Sequence, residues 1–411
     1  MLGPYRVLDL TDDRGHFCAK TLADMGADVI KVEPPGGDPS RNTGPFYHDI
    51  LVPQGSLSWL AYNQGKRGIT LNLETGEGQR IFRRLLKRAD LVTESFAPGY
   101  MDSLGLGYNT LKEIKPDIIV TSITPFGQSG PYMNYRAPDM VGMALGGHMY
   151  LCGDADRPPV GLSAPQAYLH AGAEAAVASL IALYHHTRTG EGQRVDVSVQ
   201  QSVVNTTMNS RAFYEFSGTV LTRQGPYRSG LSSGSIQRQT WPCRDGAVTF
   251  VVMGGAGGAK TNRALVEWMD GEGMSADLLK DMDWDNFDMA AASQEFHDQM
   301  DALIGRFFMS HTKEELYEGA LSRRIMLYPV ATIRDVAESP QLAARGFWEE
   351  VEHPELGGPI TYPGPFIQAS RTPLQPARRG PGIGEHNVEV YCRELGIPAA
   401  RLSALKEKGI I

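Results

Sequence analysis

Residues 6–33, RVLDLTDDRGHFCAKTLADMGADVIKVE, decide the fold class. RVLDL is a short apolar run that reads as a strand. HFCAKTLADMG follows it with Phe17, Leu22 and Met25 at helical spacing, and Gly26 is placed to cap that helix. ADVIKVEPP is the next strand, stopped by Pro34 and Pro35. The alternation then continues. GITLNL is strand-like, TGEGQRIFRRLLKRA is an amphipathic helix with Ile81, Leu85 and Leu86 on one face, and DLVTES is a strand. TLKEIKP reads as a short helix and DIIVTSITPFG as another strand. Strands separated by helices predict an α/β fold, a parallel sheet covered by helices. Ligands of such sheets gather at the carboxyl ends of the strands.

Further on, residues 161–190 read as a Pro-started helix of small residues that carries a tyrosine, Tyr168, near its mouth. QRVDVSVQQSVVN is a strand running into polar residues. The Gly, Ser, Arg and Gln content of 216–240 predicts a linker. A strand pair follows in RQTWPC and AVTFVVM, with a turn at Arg244, Asp245 and Gly246, and acidic helices run on to about Ser322. The expected organisation is a large domain from 1–215 and 326–411, the linker, and a smaller domain at 241–325.

The totals set limits. A chain of 411 residues exceeds one ordinary core. Its 39 basic against 47 acidic residues give a net charge of −8, which argues against nucleic acid or an anionic membrane as partner. Cys18, Cys152, Cys243 and Cys392 are scattered, with no disulfide framework and no metal spacing. No signal peptide is read at the N-terminus, and no apolar run approaches the roughly 20 residues of a membrane span. A cytoplasmic protein with reduced thiols is the expectation.

Several motifs suggest ligands. GGDPSRNTG is a Gly-rich loop after a strand, with Arg41 inside it, and NQGKRGITL sets Lys66 and Arg67 just before a strand. Backbone amides with such cations suit phosphates, although a solvated pair of surface cations has the same sequence. VVMGGAGGAK has four glycines in five positions, Gly254, Gly255, Gly257 and Gly258, and predicts a mobile flap or a close approach to a ligand. His185 and His186 end the 161–190 helix and complement its dipole. No GxSxG nucleophile motif is present.

An ordered set of segments resembles the class III CoA-transferase family. The set comprises VLDL, LADMGADVIKVEPPGGDPSR, NQGKRGITLNLETGEGQ, ESFAPGYMDSLGLGY, TSITPFGQSGPY, TGEGQRVDVSV, SPQLAARGFWEEVEHPELG and GIGEHN, from about residue 5 to residue 395. The resemblance implies a doubly wound parallel-sheet large domain with an inserted smaller α+β domain, in an interlocked dimer. It implies coenzyme A or acyl-CoA as substrate, with no metal. It also implies an aspartate that attacks the thioester, beneath a glycine flap that excludes water. Lys31, Arg41, Lys66, Arg67, Phe96 and Arg136 stand at positions that the resemblance assigns to coenzyme contacts.

The family aspartate lies in a pattern like P-x-x-D-L-x-A-G. The run here is Pro165-Gln166-Ala167-Tyr168-Leu169-His170-Ala171-Gly172, so Tyr168 stands in its place. Asp139 matches a different acidic position. Ser103, Ser95 and Ala97 depart from further family contacts. A phenol with an ordinary pKa of about 10 is no substitute for the carboxylate. The resemblance therefore implies a nucleophile-lacking subunit of a heteromeric CoA-transferase, whose paralogous partner carries the aspartate. The benzylsuccinate CoA-transferases are built in this way, with succinyl-CoA as donor and (R)-2-benzylsuccinate as acceptor in anaerobic toluene degradation. The alternatives are a homomeric racemase, lyase or transferase with His170 or Glu174 as base, and an acyl-CoA-binding or purely structural partner.

Overall fold

The computed structural model describes residues 1–229, 236–289, 291–374 and 376–411. Its chain divides into two compact units. The first comprises Met1–Met149, Gly161–Thr219 and Pro340–Ile411, and the second Tyr150–Val160 and Val220–Ser339.

Six parallel strands form the sheet of the first unit. They are β1 (Arg6–Leu10), β2 (Asp28–Glu33), β3 (Arg67–Thr70), β4 (Leu91–Glu94), β5 (Ile119–Thr124) and β6 (Arg194–Ser198), in the order β3-β2-β1-β4-β5-β6. Successive strand residues point to opposite faces, and both faces are covered. Val7 of β1 packs with Cys18, Leu22, Ala171 and Ala175, which belong to the helices His16–Asp24 and Ala167–Thr189. Leu8, its neighbour, packs on the other side with Ile81, Phe82 and Leu85 of the helix Gly76–Leu86. This split makes the sheet doubly wound. The C-terminal segment returns to the second face. Tyr391 is buried there, its hydroxyl donating to the Thr70 carbonyl at 2.7 Å, and the Asn72 amide donates to the Ile410 carbonyl.

Helix Ala167–Thr189 is alanine-rich on its buried side, which lets it pack closely on β5, β6 and helix His16–Asp24. Gly190, at φ 75°, ends it with a left-handed cap. The sequence reading found no apolar run of membrane length. This helix does reach that length and composition, at a mean hydropathy of 1.2, with 44% of the window buried. Its alanines raise the hydropathy while one face serves the core.

The second unit has a three-stranded antiparallel sheet in the order β11 (Leu327–Pro329), β10 (Gly246–Phe250), β9 (Thr240–Cys243). Cys243 pairs with Gly246 across the hairpin, so the turn expected at 244–246 is present. Trp241, Phe250, Phe307 and Phe308 build the core on it.

Four expectations need correction. Residues 326–339, read as part of the large domain, lie in the second unit, because β11 pairs with β10. Tyr150–Val160 joins that unit as well. The 216–240 stretch is not a plain linker: β7 (Tyr227–Ser229) pairs with β8 (Ile236–Arg238), and residues 230–235 fall outside the described residues. Lastly, the glycine run is not an irregular loop. Gly254 is the N-cap of the helix Gly255–Gly271, and a Cβ on Gly258 would sit 2.0 Å from the Met253 carbonyl oxygen.

Candidate functional site

In a doubly wound sheet the ligand crevice opens where the connections turn to opposite sides. Here that point lies between the carboxyl ends of β1 and β4. The loop after β1 is Thr11-Asp12-Asp13-Arg14-Gly15, and Ser95 and Phe96 follow β4. The two loops are stitched together. The Asp12 amide donates to Ser95 Oγ at 3.0 Å, and that hydroxyl donates to Asp12 Oδ1 at 2.8 Å. Arg14 grips the same carboxylate, Nε at 2.8 and 2.9 Å and Nη2 at 2.5 Å. Burial alone would raise the pKa of Asp12, but Arg14 and Ser95 hold it below the usual carboxylate range. Asp13 is exposed, and partial burial beside Asp12 raises its pKa.

Tyr168 sits in the first turn of helix Ala167–Thr189 and is 9% exposed. Its hydroxyl donates to the Ala137 carbonyl at 2.5 Å. Burial, reinforced by Asp12, Asp13 and Asp139 and opposed by Arg14, pushes the phenol up to about 12. The group is thus protonated, hydrogen-bonded and packed. The helix has no side-chain cap of its own. Asp139 supplies one from outside, accepting from the amides of Gln166 at 3.0 Å and Tyr168 at 3.2 Å. A carboxylate there satisfies orphan donors and suits the positive end of the dipole. Glu174, one of the alternative bases, accepts from Asn205 Nδ2 at 3.0 Å. His170 is half-buried one turn away from it.

Three of the six nominated coenzyme contacts converge on one buried ion lattice. Lys66 Nζ lies 2.8 Å from Asp9 and also donates to the His16 carbonyl and Asn63 Oδ1. Lys31 Nζ is 3.2 Å from Asp38 and donates to the Thr11 carbonyl. Arg41 forks onto Glu33 at 2.6 and 2.8 Å, and its guanidinium lies 3.6 Å from the Trp59 ring centroid. All six charged side chains are at most 5% exposed. Three carboxylates balance three cations, so the lattice is neutral without a ligand. Burial would raise Asp9 and Asp38, but Lys66 and Lys31 respectively hold them far below the ordinary range. Burial and Lys31 push the pKa of His16, which lies among them, below its usual value, with Asp38 opposing them.

Each of these three cations is held by a carboxylate, Lys31 by Asp38, Arg41 by Glu33 and Lys66 by Asp9. Arg67 is elsewhere, at the amino edge of the sheet, where it holds Asp28, Glu389 and Glu394. Phe96 is half-buried against Tyr100, with ring centroids 4.8 Å apart. Arg136 is exposed and makes no hydrogen bond or ion pair among the described residues. Gly254, Gly255, Gly257 and Gly258 open a helix of the second unit. Among the described residues no group of three His, Cys, Asp or Glu is placed to hold a metal ion. Sequence reasoning missed the Asp12–Arg14–Ser95 stitch. Its signal was DDRG directly after a strand, where buried-sheet proteins place ligand or loop-locking groups.

A six-stranded parallel sheet covered on both faces defines a doubly wound α/β protein. More narrowly, the chain belongs to CoA-transferase family III, whose model matches residues 2–387. It is 38% identical to the succinyl-CoA:(R)-benzylsuccinate CoA-transferase subunit BbsE of Thauera aromatica, over 99% of this chain and 97% of that one. It is 30% identical to a succinyl-CoA–D-citramalate CoA-transferase of Chloroflexus aurantiacus, over 97% and 94% of the two chains. Its fold matches a CAIB/BAIF family protein from Brucella suis with a TM-score of 0.81, at 28% identity and 95% and 98% coverage.

Proposed function

We propose that this chain is the nucleophile-lacking subunit of a heteromeric CoA-transferase. In this reading the complex moves CoA from succinyl-CoA to an aryl-substituted dicarboxylic acid such as (R)-2-benzylsuccinate, in the cytoplasm. The observation that carries it is Tyr168, whose ring fills the mouth of its helix and whose hydroxyl is consumed by Ala137. The similarity to a benzylsuccinate CoA-transferase subunit supports the substrate class.

The chemistry belongs to a paralogous partner interlocked with this chain. The partner's aspartate attacks the thioester carbonyl and releases CoA thiolate, leaving a mixed anhydride. The thiolate returns to give an aspartyl thioester and frees the donor acid. The acceptor carboxylate attacks the aspartyl thioester and expels CoA thiolate, forming a second anhydride, and the thiolate then attacks the acceptor's acyl carbon to give the new thioester and free the aspartate. This chain contributes fold and surface. Phe96 and Arg136 are the nominated coenzyme contacts whose side chains are not locked in ion pairs. The test is expression alone and with an aspartate-bearing paralogue, followed by a CoA-transfer assay. Transfer is expected from the pair only, and transfer by the lone chain would overturn the reading.

A further inference from the structure

Helices His16–Asp24 and Ala167–Thr189, the segment 61–64 and the end of the strand Gly358–Pro363 surround a cavity of about 480 Å³ in the first unit. That size lies in the range of small-molecule sites, roughly 300–1,000 Å³. Its walls are apolar. Phe17 and Tyr62 meet edge-on, with ring centroids 6.0 Å apart, and Leu180, Phe347 and Phe366 also line it. None of the six nominated coenzyme contacts does, and the helix wall starts at Ala173, beyond Tyr168 along the same helix.

One polar group is set into this apolar surface without a partner. Gln64 lines the cavity and is 2% exposed, and its Nε2 has no hydrogen-bond acceptor among the described residues. A bare buried donor is costly, and native interiors keep few of them. Lys20 and Asp24 are the charged residues of the lining, and they neutralise each other, Nζ lying 2.5 Å from the carboxylate. Aromatic walls, one unused donor and no uncompensated charge define the complementary ligand. We infer that this cavity binds an uncharged aromatic molecule whose carbonyl accepts from Gln64. A carboxylate placed there would leave water with no free cation to receive it. The site therefore selects against the dicarboxylic acids and the coenzyme of the proposed reaction, and the inference does not depend on that reaction.

The full chain is titrated with 3-phenylpropanamide, 3-phenylpropanoate and propanamide, with binding followed by ligand-observed NMR. We expect the aromatic amide to bind roughly tenfold or more tightly than either the acid, which brings a charge, or propanamide, which lacks the ring. Gln64→Leu should weaken the aromatic amide roughly three- to tenfold, the share of one hydrogen bond, and should raise the Tm because a bare donor is removed. Ala173→Trp, on the exposed side of the lining, should block the cavity and abolish binding. Melting curves confirm folding, and Gln64→Leu carries the test if the Trp variant fails to fold. No saturable binding of the aromatic amide, equal affinity for the amide and the acid, or binding indifferent to both substitutions would overturn the inference. So would loss of binding on assembly with an aspartate-bearing paralogue, because the partner's own side chains would then be the occupant. Transfer activity of the lone chain would sink the proposed function and leave this binding result intact.

Discussion

Tyr168→Phe removes one oxygen and nothing else, so it separates the two jobs a phenol could have. The hydroxyl donates to the Ala137 carbonyl at 2.5 Å, and Ala137 is itself 7% exposed. Loss of a typical internal hydrogen bond costs about 1 kcal/mol, and a stranded buried carbonyl raises that to about 1–3 kcal/mol. The ring stays, so no cavity opens and no transfer term is added. We expect the first unit to lose about 1–3 kcal/mol in urea unfolding, and the complex with its partner to keep its CoA-transfer rate within a factor of two or so. The phenol also provides a spectroscopic check. Several buried tyrosines ionise late, and wild type should show one more phenolate appearing near pH 12 than the variant does. The sign follows from that shift. The unfolded chain ionises this group near 10, so stability falls as pH rises from about 10 to 12, and less so in the variant. A drop in transfer of tenfold or more, with folding intact, would place the hydroxyl in the chemistry and refute the argument.

Other perturbations reach other parts of the structure. Tyr168→Asp should not create a working transferase in the lone chain. Burial, with Asp12, Asp13 and Asp139 close by, would favour the protonated form of the new carboxylate, although Arg14 opposes them, and steady-state assay of the variant tests this. Lys66→Met should cost about 3–5 kcal/mol by stranding Asp9 in the sheet, and adding Asp9→Asn should recover part of it; a denaturation cycle over the four proteins measures the coupling. Gly258→Ala should lower the Tm clearly, because its Cβ would press on the Met253 carbonyl; an unchanged Tm would mean that the helix starts later. Acid should unfold the first unit in two stages. The unfolded chain protonates His16 first, below about 6.5, and then Asp9 and Asp38, below about 3.9, so stability present at neutral pH is lost as pH falls through each range. Melting temperatures from pH 7 to pH 3 follow this, and a flat curve between 7 and 5 would contradict the role given to His16.

The alternation of strand and helix was legible because parallel strands buried on both faces are plain apolar runs, as RVLDL and DVIKV are. Strand order was not, since nothing in RVLDL says that β4 will lie beside it. β11 was placed in the wrong unit for a related reason. Three residues carry no period, and its partner β10 lies far back in the chain. Gly254–Gly258 looked like a loop because glycine has poor helix propensity. At Gly258 the reason for glycine is the carbonyl it lies against, a contact that propensity cannot register. The site divided in the same way. Tyr168 was visible as a residue out of pattern, but its hydrogen-bond acceptor was not.

The cations show why a motif is not yet a site. Arg41 and Lys66 each invite a phosphate when read alone, and the resemblance adds Lys31 to the coenzyme contacts. Yet VIKVEPPGGDPSR also holds Glu33 and Asp38, and VLDL holds Asp9, so the neutralising charges were present in the same segments. Charges of opposite sign sharing buried strand ends pair with each other before they wait for a ligand, because an unpaired buried ion costs several kcal/mol. Such a lattice anchors the loops at the carboxyl edge whether or not chemistry happens above them. A chain can therefore lose a nucleophile at the mouth of a helix and keep its sheet, its loops and its surface. Tyr168 carries this a step further, since its ring packs the first turn and its hydroxyl ties that turn to Ala137, next to the exposed rings of Tyr132 and Tyr135. Tyr168→Ala should therefore destabilise the first unit by about 3–5 kcal/mol without touching the lattice, because it opens a cavity and strands the Ala137 carbonyl. Urea unfolding measures it, and a loss no larger than that of Tyr168→Phe would show that the ring packs nothing.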